Sequence, residues 1–311
     1  MGIYKVKFPN TVSYILSHIH REASVLGDKE KLVYGVASIE EAIPGILCFC
    51  SAEGEEAKKI ISLTAGDVII GRRGTNGLES LATRKTVILV EDPMLFFIEC
   101  LNFFFPSGKS KGLLPGSFVD PEAKLEEGVL IEPTAVVDKE VYIGRETEVH
   151  SGVRVYKGSK IGQRVTIRSN AVIGTVGLGY GQEKDGFYVP FPHLGGVDIG
   201  DDVDVGANST VVKGILTNTV VGAGTKIGNQ VNIGHNVSIG RNCFISAGVI
   251  ICGSAKIRDN CWIAPGSIIL NKVVIGESAK VGLGSVVTKD VEPETMVAGM
   301  PARFLYHLQN K

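Results

Sequence analysis

From Ile131 onward an aliphatic residue returns at every sixth position. Ile131, Val137, Ile143, Val149, Val155, Ile161, Ile167 and Ile173 keep the beat, and Ile199, Val205 and Val211 resume it. It then runs from Val221 through Ile227, Ile233, Ile239, Ile245, Ile251, Ile257, Ile263, Ile269, Ile275, Val281 and Val287. A period of six suits neither an α-helix nor a free strand, and it predicts a β-helix wound from hexapeptides. Two residues before each aliphatic position stands a second small or apolar one, as at Val231, Val237, Cys243, Val249, Ala255, Cys261 and Ser267. Positions two apart share a strand face, so each short strand sends one small and one aliphatic side chain inward. Three residues after the aliphatic position Gly, Asn or Asp recurs, from Gly152, Gly158 and Asn170 to Gly266, Gly284 and Asp290. These types tolerate positive φ and so suit corners. Three sides then make a coil of about 18 residues, and residues that far apart, such as Cys243 and Cys261, stack.

The first hundred residues lack the beat. Their pattern predicts helices over Thr11–Ala23, Ala52–Leu63 with Ser51 as its cap, and Met94–Phe104 started by Asp92-Pro93. The last is apolar on most faces, which predicts tight packing. Strands are expected at Leu32–Ala37, Ile46–Cys50, Asp67–Ile70 and Thr86–Val90. The division is therefore a small α/β domain over 1–105, a linker and entry to the prism over 106–130, the β-helix over 131–292 and a tail over 293–311. The fold class is mainly β. Two interruptions break the prism: the Gly- and aromatic-rich Gly174–Val197, expected to protrude as a loop, and a four-residue insertion at Leu216–Thr219.

Composition narrows the classes. The net charge is −1, which gives no electrostatic case for nucleic acid or an anionic membrane. No apolar run is long enough to span a bilayer, and the opening MGIYKVKFPNTV lacks a signal peptide's apolar core. Six scattered cysteines form no CxxC pair, and the expectation is reduced, buried thiols in a cytoplasmic protein. A γ-type carbonic anhydrase needs three zinc-binding histidines, which the spacing of His150 and His235 does not supply, and no metal site is expected. A nucleotidyltransferase would need a phosphate-cradling Gly-rich start, which is absent.

The stretch GLGYGQEKDGFYVPFPHLGGVDIGDDVDVGANSTVVKGILTNTVVGAGTKIGNQVNIGHNVSIG, from Gly177 to Gly240, resembles the UDP-3-O-acyl-glucosamine N-acyltransferases of lipid A synthesis. It also looks like the nucleotide-amino-sugar N-acyltransferases. GVASIEEAIPGILCFCS near the start is similar to the first family's N-terminal domain. The resemblance implies a left-handed parallel β-helix, a homotrimer with sites between neighbouring prisms, and N-acyl transfer to a nucleotide-linked amino sugar, UDP or dTDP. GLGSVVTKDVEPETMVAGMPARFL at the end resembles acetyltransferases that hold coenzyme A in their last coils.

On that resemblance His235 is the general base, at a corner and pointing outward, with the departing thioester sulfur as the alternative proton acceptor. Gly253, one coil later, matches the oxyanion donor, with a plain turn glycine as the other reading. Asn229, Asn232, Tyr180 and Phe187 are expected to bind the sugar, and Phe49 to stack on the base. Lys272, Gly284, Ser285, Lys289 and Arg303 are expected to meet coenzyme A. The sequence departs from the lipid A pattern in three places. Lys272 replaces a second histidine; Glu55 and Ala52 replace a Tyr and an Asn beside the base; the helical extension that engages acyl carrier protein is missing. These departures favour acyl-CoA as co-substrate, with no permanently bound cofactor, over acyl carrier protein.

Overall fold

The computed structural model describes residues 2–106, 108 and 111–307. The chain divides into two units, Met1–Lys109 and Ser110–Lys311.

In the first unit six strands form one sheet in the order Tyr4–Thr11, Leu32–Val36, Ile46–Phe49, Val68–Arg72, Thr86–Val90, Ser24–Leu26. The inner pairs are parallel and the two edge strands antiparallel. Alternating side chains feed two cores. Leu47, Ile70 and Ile88 pack with helices Val12–His18 and Pro93–Phe104; Cys48, Ile69 and Val87 pack with helix Gly54–Leu63. This is the three-layer solution for a largely parallel sheet.

Three local expectations are corrected. The first helix stops at His18: Ile19 is extended, its side chain is buried, and the chain goes on to the edge strand Ser24–Leu26. The second begins at Gly54 rather than Ala52, because Gly54 turns the chain with a φ of 57°; Glu53, not Ser51, precedes it and makes no side-chain cap. The third starts as expected, with Asp92 Oδ1 accepting from Leu95 N at 3.0 Å. It does not pack all round, however. Pro93, Phe96 and Cys100 are buried, while Met94, Leu95 and Ile98 remain exposed.

The second unit is a parallel β-helix. Three sheets of 11, 9 and 8 strands among the described residues form its sides. Partners lie 18 residues apart, as Ile131 with Val149 and Ile251 with Ile269. Across Gly174–Val197 the step lengthens, pairing Ile161 with Ile199, and across the short insertion Val211 pairs with Ile233. Stacking thus resumes in register after both. The aliphatic positions and the small residues two before them form one continuous core. Inward hydroxyls and thiols satisfy corner carbonyls of the next coil: Thr225 Oγ1 donates to Gly240 O, Cys243 Sγ to Arg258 O and Cys261 Sγ to Gly276 O. All six cysteines are free thiols, five of them buried. Burial pushes the Cys48 and Cys100 thiols up to about 12, which keeps them protonated and unreactive.

The prism is longer than its sequence pattern suggested. It starts at Gly112–Leu113, inside the expected linker, and Leu113, Val119 and Leu125 already keep the beat. That first coil is stacked on one side only, so Leu113 stays exposed. Of the expected linker, 107, 109 and 110 lie outside the described residues. At the other end Thr295–Gly299 adds a parallel strand beside Lys280–Val281, and Ala302–His307 returns antiparallel. The expected tail is a hairpin as far as His307; 308–311 lie outside the described residues. The corner expectation holds for Gly152, Gly158, Asn170, Gly266 and Gly284, all of positive φ. It fails at Asp290, whose Oδ1 accepts from Val274 N at 2.8 Å, and Glu294 takes the left-handed position instead.

Candidate active site

His235 follows the strand Asn232–Ile233, whose Ile233 is buried in the core, so the ring stands half-exposed at the next corner. Its tautomer is fixed by Asn236. The Asn236 Nδ2 donates to Thr217 O at 3.0 Å and Thr217 Oγ1 at 2.9 Å, and its Oδ1 accepts from Ile215 N at 3.1 Å. Oδ1 can only accept, so His235 Nδ1, 3.0 Å away, carries the proton. Nε2 is then the basic nitrogen. The short insertion, which the sequence marks only as a break, supplies Thr217 and so orients the imidazole through Asn236.

Nε2 lies over Gly253. A Cβ at that residue would stand 2.6 Å from His235 Nε2 and 2.7 Å from Cε1. Gly253 does not have a positive φ; the left-handed residue of this corner is Ser254, at 62°. Gly253 does stand in a turn, but the turn does not require a glycine there by φ; a side chain would meet the imidazole. The inter-coil ladder passes it by, running from Cys252 N to Ile269 O and from Ser254 N to His235 O. Among the described residues the Gly253 N–H donates to no group.

Sequence reasoning missed His193, near the end of the long loop. It is 7 % exposed, and its ring centroid is 6.0 Å from that of His235 at an interplanar angle of 83°. No periodicity marks it. The loop base that carries it is held by the same insertion and the residue before it, with Leu194 N and Gly195 N donating to Ile215 O, and Gly196 N to Asn218 Oδ1.

The other expected residues divide. Asn232 stands exposed on the face that ends at the His235 corner. Asn229 occupies the far edge of that face and spends its Oδ1 on Ala207 N at 2.8 Å, so the structure does not bring it to the histidine. Tyr180 lies in a small hairpin, Tyr180–Gln182 with Tyr188–Pro190, and Phe187 is exposed beside it. Leu178, Tyr180 and Tyr188 line an open cavity of about 530 Å³. Phe49, in the first unit, stacks on Phe97 with centroids 4.9 Å apart.

Of the residues expected at the donor, Ser285 is misplaced. It is fully buried, donates to Gly282 O at 2.7 Å and accepts from Gly299 N. Two residues before Val287, it is an inward position and faces no ligand. Gly284 is an open left-handed corner. Lys272 is exposed with φ 65°, its N–H donating to Gly253 O. Lys289 and Arg303 line one cavity of about 360 Å³ with Asp290 and Glu292. His235, Gly253 and Lys289 lie at steps of whole coils on one corner, so Lys289 stands three coils, roughly 14 Å, from the imidazole.

Residues 218–253 and 254–289 match the bacterial transferase hexapeptide (six repeats) model. With the prism and the corner just described, the chain carries the hexapeptide repeats of bacterial transferases. More particularly, it is similar to proteins named UDP-3-O-acylglucosamine N-acyltransferase. It is 31% identical over 225 residues to that of Coxiella burnetii (strain RSA 493 / Nine Mile phase I), an alignment covering 66% of this chain and 64% of the relative. It is 33% identical over 223 residues to that of Pseudomonas syringae pv. tomato, covering 66% and 62%. The chain thus spans just under two thirds of the length of these relatives. The solved UDP-N-acetylglucosamine acyltransferase of Francisella novicida superposes with a TM-score of 0.58 at 26% identity, over 63% of this chain and 70% of that one. The Acinetobacter baumannii LpxA structure, at 23% identity, 63% and 74% coverage and TM-score 0.58, shares the fold.

Asn236→Ala is expected to cost stability and activity together. It leaves Ile215 N–H and the Thr217 carbonyl without partners and puts Ala at a φ of 58°. The loss should be about 1–3 kcal/mol in a denaturation curve. Turnover should fall further than stability explains, because the His235 tautomer is no longer fixed. Asn236→Asp keeps the acceptor for His235 Nδ1 and should recover most of the turnover. Equal losses in both variants would show that Asn236 does not act through His235.

Proposed function

We propose that the protein transfers an acyl group from a thioester to the amine of a UDP-linked glucosamine that already carries a 3-O-acyl chain. The observation that carries this reading is the His235 imidazole, held in one tautomer by Asn236, with Nε2 against Gly253. The names of the relatives supply the acceptor class. The amine attacks the thioester carbonyl, His235 Nε2 takes an amine proton, and the Gly253 N–H faces the developing oxyanion. The proton then passes to the departing thiolate. The resemblance to the lipid A enzymes makes an acyl-carrier-protein thioester the first donor to try.

A second reading, acyl-CoA as donor to a dTDP- or UDP-linked amino sugar, rests on one observation. Lys289 and Arg303 share the cavity near the end of the prism, three coils along the corner from His235, where phosphates of a long thioester arm would meet them. In either reading the enzyme works as a cytoplasmic homotrimer. Support comes from the solvent-facing apolar residues of the long loop, Leu178, Phe187, Tyr188 and Leu194. Among the described residues no helix is long and apolar enough to cross a membrane.

The test pairs acyl-carrier-protein and acyl-CoA thioesters with UDP- and dTDP-linked amino sugars and follows amide formation by mass spectrometry. Amide on the UDP-linked 3-O-acylglucosamine with the carrier-protein donor is the expected result. Turnover with acyl-CoA alone selects the second reading, and no amide from any pair sinks both.

A further inference from the structure

His193 is a second imidazole with a fixed direction. Its Nδ1 lies 2.9 Å from Phe191 O, a group that only accepts, so Nδ1 carries the proton and Nε2 bears a lone pair. That Nε2 is buried and has no hydrogen-bond partner. Among the described residues no donor lies within hydrogen-bond reach of it. A Cβ on Gly177 would sit 2.7 Å from Val212 Cγ1, 3.5 Å from His193 Nε2 and 3.9 Å from His235 Cδ2, and a Cβ on Gly179 would meet the His193 ring at 2.8 Å. A buried acceptor without a donor costs free energy and calls for a reason, and a chemical step at the neighbouring imidazole is one. Here Gly177 and Gly179 of the long loop, with Val212, stand between and beside the two imidazoles.

We propose that His193 is a catalytic residue of the same site, and that its Nε2 accepts the first proton of the acceptor amine. This rests on the N-acyltransferase reading above. A primary amine is largely protonated near neutral pH, and it must lose one proton before it attacks and a second as the amide forms. His235 is a single base and holds one. The ammonium gives its first proton to His193 Nε2, reached by displacing the Gly177–Gly179 arm. The free amine then forms the C–N bond as the C–S bond breaks. The second proton passes to His235 Nε2 and on to the departing thiolate, and His193 returns its proton to water. The products are one amide, one thiol and one proton.

His193→Asn tests this, since the Asn amide can still donate to Phe191 O while the Nε2 lone pair is removed. With UDP-linked 3-O-acylglucosamine and the thioester that the wild type turns over, kcat/KM for the amine should fall about 10²-fold near neutral pH. The deficit should shrink as pH rises and the amine arrives unprotonated, whereas a His235 variant should stay impaired throughout. Histidine-15N spectra of the wild type give a second readout that needs no variant: the sugar alone should shift the His193 Nε2 resonance. Wild-type turnover with His193→Asn equal to it at every pH, or a resonance the sugar leaves unmoved, overturns the proposal. No amide from the wild type overturns the N-acyltransferase reading instead.

Discussion

His235→Ala leaves the prism folded and removes most of the reaction. The ring is half-exposed at a corner, and Asn236 Oδ1 keeps its bond from Ile215 N when the imidazole goes. The expected loss of stability is therefore under about 1 kcal/mol, a small shift in Tm. The expected loss in kcat is about 10²–10⁴-fold, the usual contribution of a positioned general base. The Gly253 N–H and the binding surfaces stay in place, so a residual rate above background should persist. The measurement is kcat for both proteins, with a melting curve as the fold control. Near-normal turnover of the variant would mean that the departing sulfur takes the proton itself.

The beat that reveals the prism is legible because the interior allows nothing else. Each coil must place an aliphatic side chain inward at fixed intervals, and Ile131 through Val287 obey. The ends are harder to read, because Leu113 and Val119 are stacked on one side only and their coil tolerates Lys, Glu and Pro around them. Corners are half legible. Gly and Asn announce a left-handed turn, but Thr134, Glu140 and Lys272 adopt it too, at 65°, 57° and 65°, where stacked neighbours hold a conformation these residues disfavour alone. Ser285 was open to correct reading, since it stands two before Val287 and so must point inward. His193 was not. Its place depends on how a non-repeating loop folds back onto an insertion, and neither segment carries a period.

Gly253→Ala separates geometry from chemistry at this corner. The backbone there accepts any residue, since its φ is not positive, and the atom in the way is the end of a side chain rather than main chain. Alanine should thus fold with little change in Tm. Its methyl nevertheless claims the position 2.6 Å from His235 Nε2, closer than real contacts allow, so the ring must move. A displacement on the order of 1 Å can cost about 10²-fold in rate, and that is the expected fall in kcat. The Gly253 N–H remains, so the loss comes from the imidazole. It follows that the double variant with His235→Ala should be little slower than His235→Ala alone, because the methyl then fills space the ring has left. Kinetics of the two single variants and the double variant measure this. Multiplying losses would place the role of Gly253 in the oxyanion contact itself, and an unchanged kcat in Gly253→Ala would remove the imidazole's position above Gly253 from the mechanism.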